Sequence, residues 1–255
     1  MIWDRLAEGL SLAVWTPPST CPDLSPFIVF EIDPAYYRFS VHYQDGSASI
    51  PPDIHEWQAK TGHDLVFNAG LFRENYAYLG LLYGEGRPLG SKRHSHWMGL
   101  FVAEPTKSDG QAARILDLTV DRFDEERPSY REAAQSLMLL DRTGKIRVRQ
   151  TGKRAQQTIL AERNNGHIVL LKTTSVTSLY AIAQCLRDAY PSIRHAMAMD
   201  GGSSSDLSIR PGLRLAAEQL SGAHPWASLL NSGPTGHIGL PAVIGISPRH
   251  LKSRP

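Results

Sequence analysis

Apolar and polar positions along this chain fall mostly into short runs or strict alternation, the pattern of strands and not of long helices. Residues 39–43 put Phe39, Val41 and Tyr43 on one face and Ser40 and His42 on the other, which predicts a half-buried strand. Phe27–Ile32 is a continuous apolar run joined to it through Asp33-Pro34, and residues 65–67, 97–103, 137–140 and 168–171 are further runs of strand length. Ile146 and Val148 alternate with Lys145, Arg147 and Arg149 after a turn at Gly144. Helical periodicity is confined to two stretches. In residues 51–62, Asp53 can cap a short helix and Glu56 stands at the reciprocal capping position. Ile54 and Trp57 share a face of that helix, and Gly62 ends it. From about residue 177 to 190, Leu179, Ile182, Ala183 and Leu186 form one apolar stripe.

That second helix leads into another apolar run at 196–199, so the unit from 168 to 199 predicts a right-handed crossover between neighbouring parallel strands. Strands outnumber helices, and the expected fold class is mixed α/β or α+β. Its architecture is a twisted mixed β-sheet flanked by a few helices, with long polar loops. Residues 104–130 read as a polar excursion between strands. Residues 210–241, rich in Gly, Pro, Ser and His, read as a long loop region. The chain divides into an N-terminal extension (1–26), a main domain (27–246) and a basic tail (247–255) expected to fray.

Composition narrows the function classes. The chain has 255 residues, 42% hydrophobic and 20% charged, enough for a large core. With 27 basic and 25 acidic residues, the net charge of +2 lacks the basic excess of a dedicated nucleic-acid binder. No apolar run approaches the roughly 18 residues of a membrane span. Residues 1–12 carry charges where a signal peptide needs an apolar centre. Cys21 and Cys185 are the only cysteines, which excludes a disulfide-rich scaffold and a CxxC metal site. A single disulfide and two reduced core thiols both remain open.

The stretch AMAMDGGSSSD at 196–206 concentrates the candidate chemistry. Asp200 emerges at the end of an apolar run, where open sheets often place ligands. Gly201 and Gly202 allow positive φ or close backbone approach, leaving their amides and the hydroxyls of Ser203, Ser204 and Ser205 to hold an anionic or hydroxyl-rich group. A polar turn uses the same residues. A serine nucleophile elbow needs G-x-S-x-G, and Gly202-Ser203-Ser204-Ser205-Asp206 ends in Asp. Gly84, Gly86 and Gly90 are spaced one residue too far for a dinucleotide loop. His94-Ser95-His96 resembles half of a metal site with no third ligand evident, so no metal is assigned. His195, His224 and His237 lie near the site region in sequence, where an isolated histidine is usually structural or solvent-facing. Within the basic stretch 142–154, Lys145, Arg147 and Arg149 suit a solvated strand face. Arg154 precedes an apolar run and can reach a pocket edge for bidentate contact with phosphate or carboxylate.

Four stretches in order, FNAGLF at 67–72, AAQSLMLLDRTGKI at 133–146, KRAQQTIL at 153–160 and AMAMDGGSSS at 196–205, resemble the phosphodiester glycosidase family. The resemblance runs from about residue 27 to 207. It departs from the family pattern in the Arg-led segment Arg154-Ala155-Gln156-Gln157-Thr158, and nothing after Asp206 matches. It implies a hydrolase that cleaves a sugar-1-phosphodiester, releasing a sugar and a phosphate monoester without a cofactor. It assigns catalytic roles to Asp200, Arg154 and Asn68, and substrate contacts to Gly70, Gly201, Gly202, Ser203 and Ser204. In that assignment Asn68 orients sugar hydroxyls or an acetamido group, and Gly70 permits close approach. The partner implied is a small-molecule or glycan substrate carrying a phosphodiester. The resemblance also implies export to a periplasm or the cell exterior, with the leader outside this chain and a cytoplasmic location left open. The alternative is a non-catalytic binding module for phosphosugars or cell-envelope glycans.

Overall fold

Alternation along the strands builds two sheets whose facing surfaces make the main core. In the computed structural model, described for residues 1–21, 23–47, 49–220, 226, 229 and 236–249, the larger sheet has eleven strands. They are β1 (Trp3–Ala7), β2 (Leu10–Trp15), β3 (Phe27–Ile32), β6 (Leu82–Gly84), β7 (Arg87–Pro88), β8 (Gly99–Pro105), β9 (Ala113–Asp117), β10 (Tyr130–Leu140), β11 (Thr158–Arg163), β12 (Ile168–Thr173) and β13 (Ile193–Ala198). Their order is β1-β2-β3-β12-β11-β13-β10-β6-β7, with β8 also pairing β10 and β9 pairing β8. The smaller sheet is β14 (Leu207–Ile209), β5 (Leu65–Asn68), β15 (Ala242–Pro248) and β4 (Tyr37–Tyr43), in that order. Every pairing among the described residues is antiparallel.

The expected mixed sheet is therefore corrected to two antiparallel sheets with three helices, a sheet-dominated α+β arrangement. β12 and β13 do run the same way, but β11 lies between them and pairs with both, so the unit at 168–199 does not join neighbours. β3 and β4, consecutive in sequence, fall in different sheets.

Ile28, Phe30 and Ile32 face Phe39, Val41, Leu65, Phe67, Ile244 and Ile246 of the smaller sheet, and all are buried. Their neighbours Phe27 and Val29 turn the other way, onto Ile182, Ala183 and Leu186 of helix α2 (Leu179–Ala189). Helix α1 (Ile54–Thr61) covers the outer face of the smaller sheet, with Ile54 and Trp57 against Val66, Leu240 and Val243. The layers are thus helix, large sheet, small sheet, helix. α1 has the caps expected of it: Asp53 accepts from the amides of His55 and Glu56, Glu56 returns a bond to the Asp53 amide, and Gly62 closes the helix in the left-handed region. α2 is capped by Ser178.

Several segments differ from the sequence reading. Residues 3–15, assigned to an extension, form the β1–β2 hairpin at one end of the large sheet. The 104–130 excursion contains β9. The region from 210 begins with helix α3 (Pro211–Leu220) instead of a loop. Ile146 makes only an isolated bridge to Leu140. Of the tail expected at 247–255, Ser247 and Pro248 belong to β15 and Arg249 is bonded to the carbonyls of Pro34 and Tyr37 and to Glu104, while residues 250–255 lie outside the described residues. A disulfide joins Cys21 to Cys185.

Candidate active site

The site forms where the two sheets meet at the ends of β5 and β13. The Met199 amide donates to Thr158 O (2.9 Å) and the Asp200 amide to Ala69 O (3.0 Å), which pins the chain leaving β13 against both sheets. The Asp200 carboxylate accepts from the Gly201 amide (2.9 Å) and from the Ser204 hydroxyl. Burial outweighs these two bonds and raises its pKa from 3.8 to about 6. A carboxyl group with a near-neutral pKa is suited to exchanging a proton with a reacting group.

Asp200 lines a cavity of about 570 Å³. Its lining includes the apolar Leu71, Leu137, Val148, Leu179 and Met199 and the cationic Arg149, Lys153 and Arg154. Arg147 also reaches it but is bound to Asp117 (3.0 Å) and Asp141 (3.3 Å). Among the described residues no carboxylate pairs with Arg149, Lys153 or Arg154, and Arg154 donates only weakly, from Nη2 to Val176 O (3.3 Å). A second cavity of about 520 Å³ shares Arg154, Ser178 and Tyr180 with the first and touches Cys21 and Cys185. Chemically, the first cavity offers one carboxyl group that exchanges protons near neutrality and three cations available to an anion.

Asp200, Gly201, Gly202 and Arg154 line the same cavity, and Asn68, Gly70, Ser203 and Ser204 do not. Asn68 is buried behind Asp200, and its amide has no capacity left for a sugar. Its Nδ2 donates to Asp200 O (2.8 Å) and Ala69 O (3.1 Å), while its Oδ1 accepts from Thr158 Oγ1 (2.8 Å) and the Asp206 amide (3.1 Å). It ties the chain after β13 and the Asp206 amide to the end of β5. Gly70 is also buried, and a Cβ there would lie 2.4 Å from the Tyr78 hydroxyl, so its missing side chain makes room for Tyr78 and not for a ligand.

The spare glycine amides expected at 201 and 202 are already bonded. Gly201 donates to Asp200, and Gly202, at φ +70°, donates to Gln156 O (2.8 Å). Gly201 instead admits Gln157, whose Oε1 would stand 2.6 Å from a Cβ at that position. Ser204 is buried beneath Asp200, and Ser203 is exposed and does not line the cavity.

Lys172 and Thr158 escaped sequence reasoning. Thr158 Oγ1 bonds both Asn68 and the fully buried Ser205 (2.9 Å), and Lys172 Nζ donates to the Ser205 carbonyl and Oγ. Burial lowers the Lys172 pKa from 10.5 to about 8, with Asp206 pulling it upward. The available signal was a lysine inside the apolar run IVLLKT.

The histidines lie elsewhere. His94 stacks on Trp97 with ring centroids 3.8 Å apart, and the His94 and His96 rings are 5.9 Å apart. His195 is buried against Glu162 and Ile115 O. His237 bonds Asp206, and His224 lies outside the described residues. Among the described residues no three His, Cys, Asp or Glu side chains gather as a metal site, and no helix is long and apolar enough to cross a membrane.

The sequence matches no protein-family model and no curated protein. Solved structures do match. A hypothetical protein from Synechocystis superposes with a TM-score of 0.65 at 13% identity over 97% of this chain, which spans 63% of that protein's length. The catalytic domain of zebrafish N-acetylglucosamine-1-phosphodiester alpha-N-acetylglucosaminidase, auto-inhibited by its pro-peptide, gives a TM-score of 0.58 at 14% identity. That match covers 94% of this chain and 82% of the zebrafish domain. A candidate exported protein of Burkholderia pseudomallei K96243 gives a TM-score of 0.55 at 11% identity, over 88% of this chain and 74% of its own. At these identities the likeness is one of fold.

Proposed function

We propose that this chain is a hydrolase that cleaves a glycosyl phosphodiester, releasing a sugar and a phosphate monoester. The observation that carries the reading is a lone carboxyl group with a pKa raised to about 6 that lines one cavity with three cations lacking carboxylate partners among the described residues. Arg154, assisted by Arg149 and Lys153, neutralises the phosphate diester and the second negative charge that develops on it. The ionised Asp200 stabilises positive charge at the anomeric carbon and takes a proton from the attacking water. The C1–O bond breaks with its electron pair passing to the phosphate oxygen, and the water oxygen bonds to C1. The fold shared with a phosphodiester glycosidase domain supports this reading. The disulfide supports an exported location, since such bonds persist in oxidising compartments.

The ionised form of Asp200 is the active one, so kcat/KM on an aryl sugar-1-phosphodiester should rise with pH and level off above about 6. Asp200→Asn should remove activity by roughly 10² to 10⁴-fold while leaving the fold intact. A folded Asp200→Asn enzyme with full turnover would overturn the mechanism. Ligand binding without turnover across a panel of such sugars would make the protein a binding module.

A further inference from the structure

Behind the candidate active site, on the outer face of the smaller sheet, two imidazoles face one another. His55 belongs to the first turn of α1 and His237 to the segment before β15. Their Nε2 atoms are 3.0 Å apart, with the rings nearly perpendicular at 83°. Each ring is fixed through its other nitrogen: Nδ1 of His237 lies 2.5 Å from Asp206 Oδ2, and Nδ1 of His55 lies 3.2 Å from Ser208 Oγ. Asp206 is buried, and its second oxygen accepts from the Leu207 amide (2.9 Å).

A carboxylate only accepts, so His237 carries a proton on Nδ1; in the neutral ring Nε2 is then an acceptor, which in the ion-free chain takes the Nε2–H of His55. A histidine with a carboxylate on one nitrogen and a bare lone pair on the other has the arrangement of a metal ligand with its outer partner in place. His55 can match it by donating Nδ1–H to Ser208 and freeing its own Nε2. Two nitrogens at Zn–N distances of about 2.0–2.1 Å in a tetrahedral set stand roughly 3.3 Å apart, close to the separation seen. Both rings reach solvent.

We infer that His55 and His237 form a binding site for a borderline-soft divalent cation of the Zn²⁺ or Ni²⁺ type. The imidazoles supply two ligands. Among the described residues no third His, Cys, Asp or Glu joins them. Imidazole nitrogens select such ions over Mg²⁺ and Ca²⁺, which take oxygen. The bound ion ties α1 to the segment before β15. It also holds His237 on Asp206, whose amide bonds Asn68, the residue that positions Asp200. This inference does not depend on the reaction proposed for Asp200.

The test is titration of the chelator-treated full chain with ZnCl₂, following bound zinc by equilibrium dialysis and thermal stability by calorimetry. Wild type should bind zinc at this site and gain Tm. His55→Gln and His237→Ala should each weaken that binding by roughly 100-fold and abolish the Tm gain, and Asp206→Asn should weaken it by about 10 to 100-fold. His94→Ala should leave it unchanged. If His237→Ala fails to fold, the exposed His55→Gln variant decides alone. No zinc binding by wild type, or binding that His55→Gln leaves intact, would reduce the arrangement to a hydrogen-bonded histidine pair and overturn the inference.

Discussion

Asn68 and Gly202 show how residues beside a site act without touching a ligand. Removing the Asn68 amide leaves the Asp206 amide, Thr158 Oγ1 and the Asp200 carbonyl each short of a partner in a buried place. Asn68→Ala should therefore cost roughly 2–4 kcal/mol in urea unfolding. On the proposed substrate it should lower kcat more than it changes KM, because it shifts Asp200 and leaves the cations that line the cavity in place. A variant as stable as wild type would show that the four bonds contribute nothing. The adjacent glycines separate two physical demands. Gly202 sits at φ +70° with open space around it, so Gly202→Ala is strained by the backbone alone, at about 1–2 kcal/mol. Gly201 has an ordinary extended backbone but no room, with Gln157 Oε1 at 2.6 Å and Gln156 O at 2.9 Å from a Cβ. Gly201→Ala should accordingly displace the 156–157 segment and reduce activity, visible as a larger kinetic than thermal effect. The sequence revealed Asp200 and the need for glycines beside it, because an acid after an apolar run is a local signal. It hid Asn68's role, since which partners saturate a buried amide depends on residues 90 and 138 positions away.

At the scale of elements, edge strand β4 is closed off by two glutamates of the large sheet. Glu132 on β10 accepts from the Val41 amide (2.7 Å) and also from the Glu85 amide (3.0 Å), and Glu104 on β8 accepts from the Phe39 amide (3.2 Å). Amides that would otherwise template another strand are thereby occupied. Burial raises the Glu132 pKa from 4.5 to about 7, with the Glu104 and Glu85 charges adding to it and the two backbone bonds opposing it. Between those values the folded chain holds a proton that the unfolded chain has lost. Stability from this group is therefore greatest at low pH and falls as pH rises across 4.5–7, by on the order of 3 kcal/mol at most. Asp200 acts in the same direction, and His63, lowered from 6.5 to about 4 by burial, acts in the opposite one. Glu132→Gln should remove its share of the slope, so the stability difference between variant and wild type should grow in the variant's favour from pH 5 to pH 8. A constant difference across that range would refute the assignment. Helix α1 was legible because its caps and stripe are neighbours in sequence. β1, β2 and α3 were not: their apolar positions gain meaning only against the large sheet, where Leu10 and Leu12 pack on the central core and α3 packs near β1.

For the whole molecule, the disulfide is the single covalent link between distant parts of the chain, and the sequence left its existence open because 164 positions separate the two cysteines. Folding sets their Cα atoms 5.4 Å apart, joining the loop between β2 and β3 to the buried face of α2. α2 also carries Leu179 and Tyr180 into the wall of the candidate active site, and the half-cystines border the adjoining cavity. The bond thus constrains the element that shapes the site while closing a long loop in the unfolded chain. Chain-entropy arguments give a loop of more than 100 residues close to 5 kcal/mol, and measured losses on removing native disulfides run at about 2–5 kcal/mol. The Cys21→Ser, Cys185→Ser double variant should lose stability in that range. It should also raise KM for an anionic sugar diester more than it lowers kcat, because the wall moves while Asp200 stays anchored to Ala69 and Asn68. Wild type unfolded in reductant should reproduce the variant's midpoint, and the variant itself should not respond to reductant. Matching midpoints with an unchanged KM would confine the bond to stability and separate α2 from substrate binding; an unchanged midpoint would show that the packing of α2 against Phe27, Val29 and Val169 is sufficient without it.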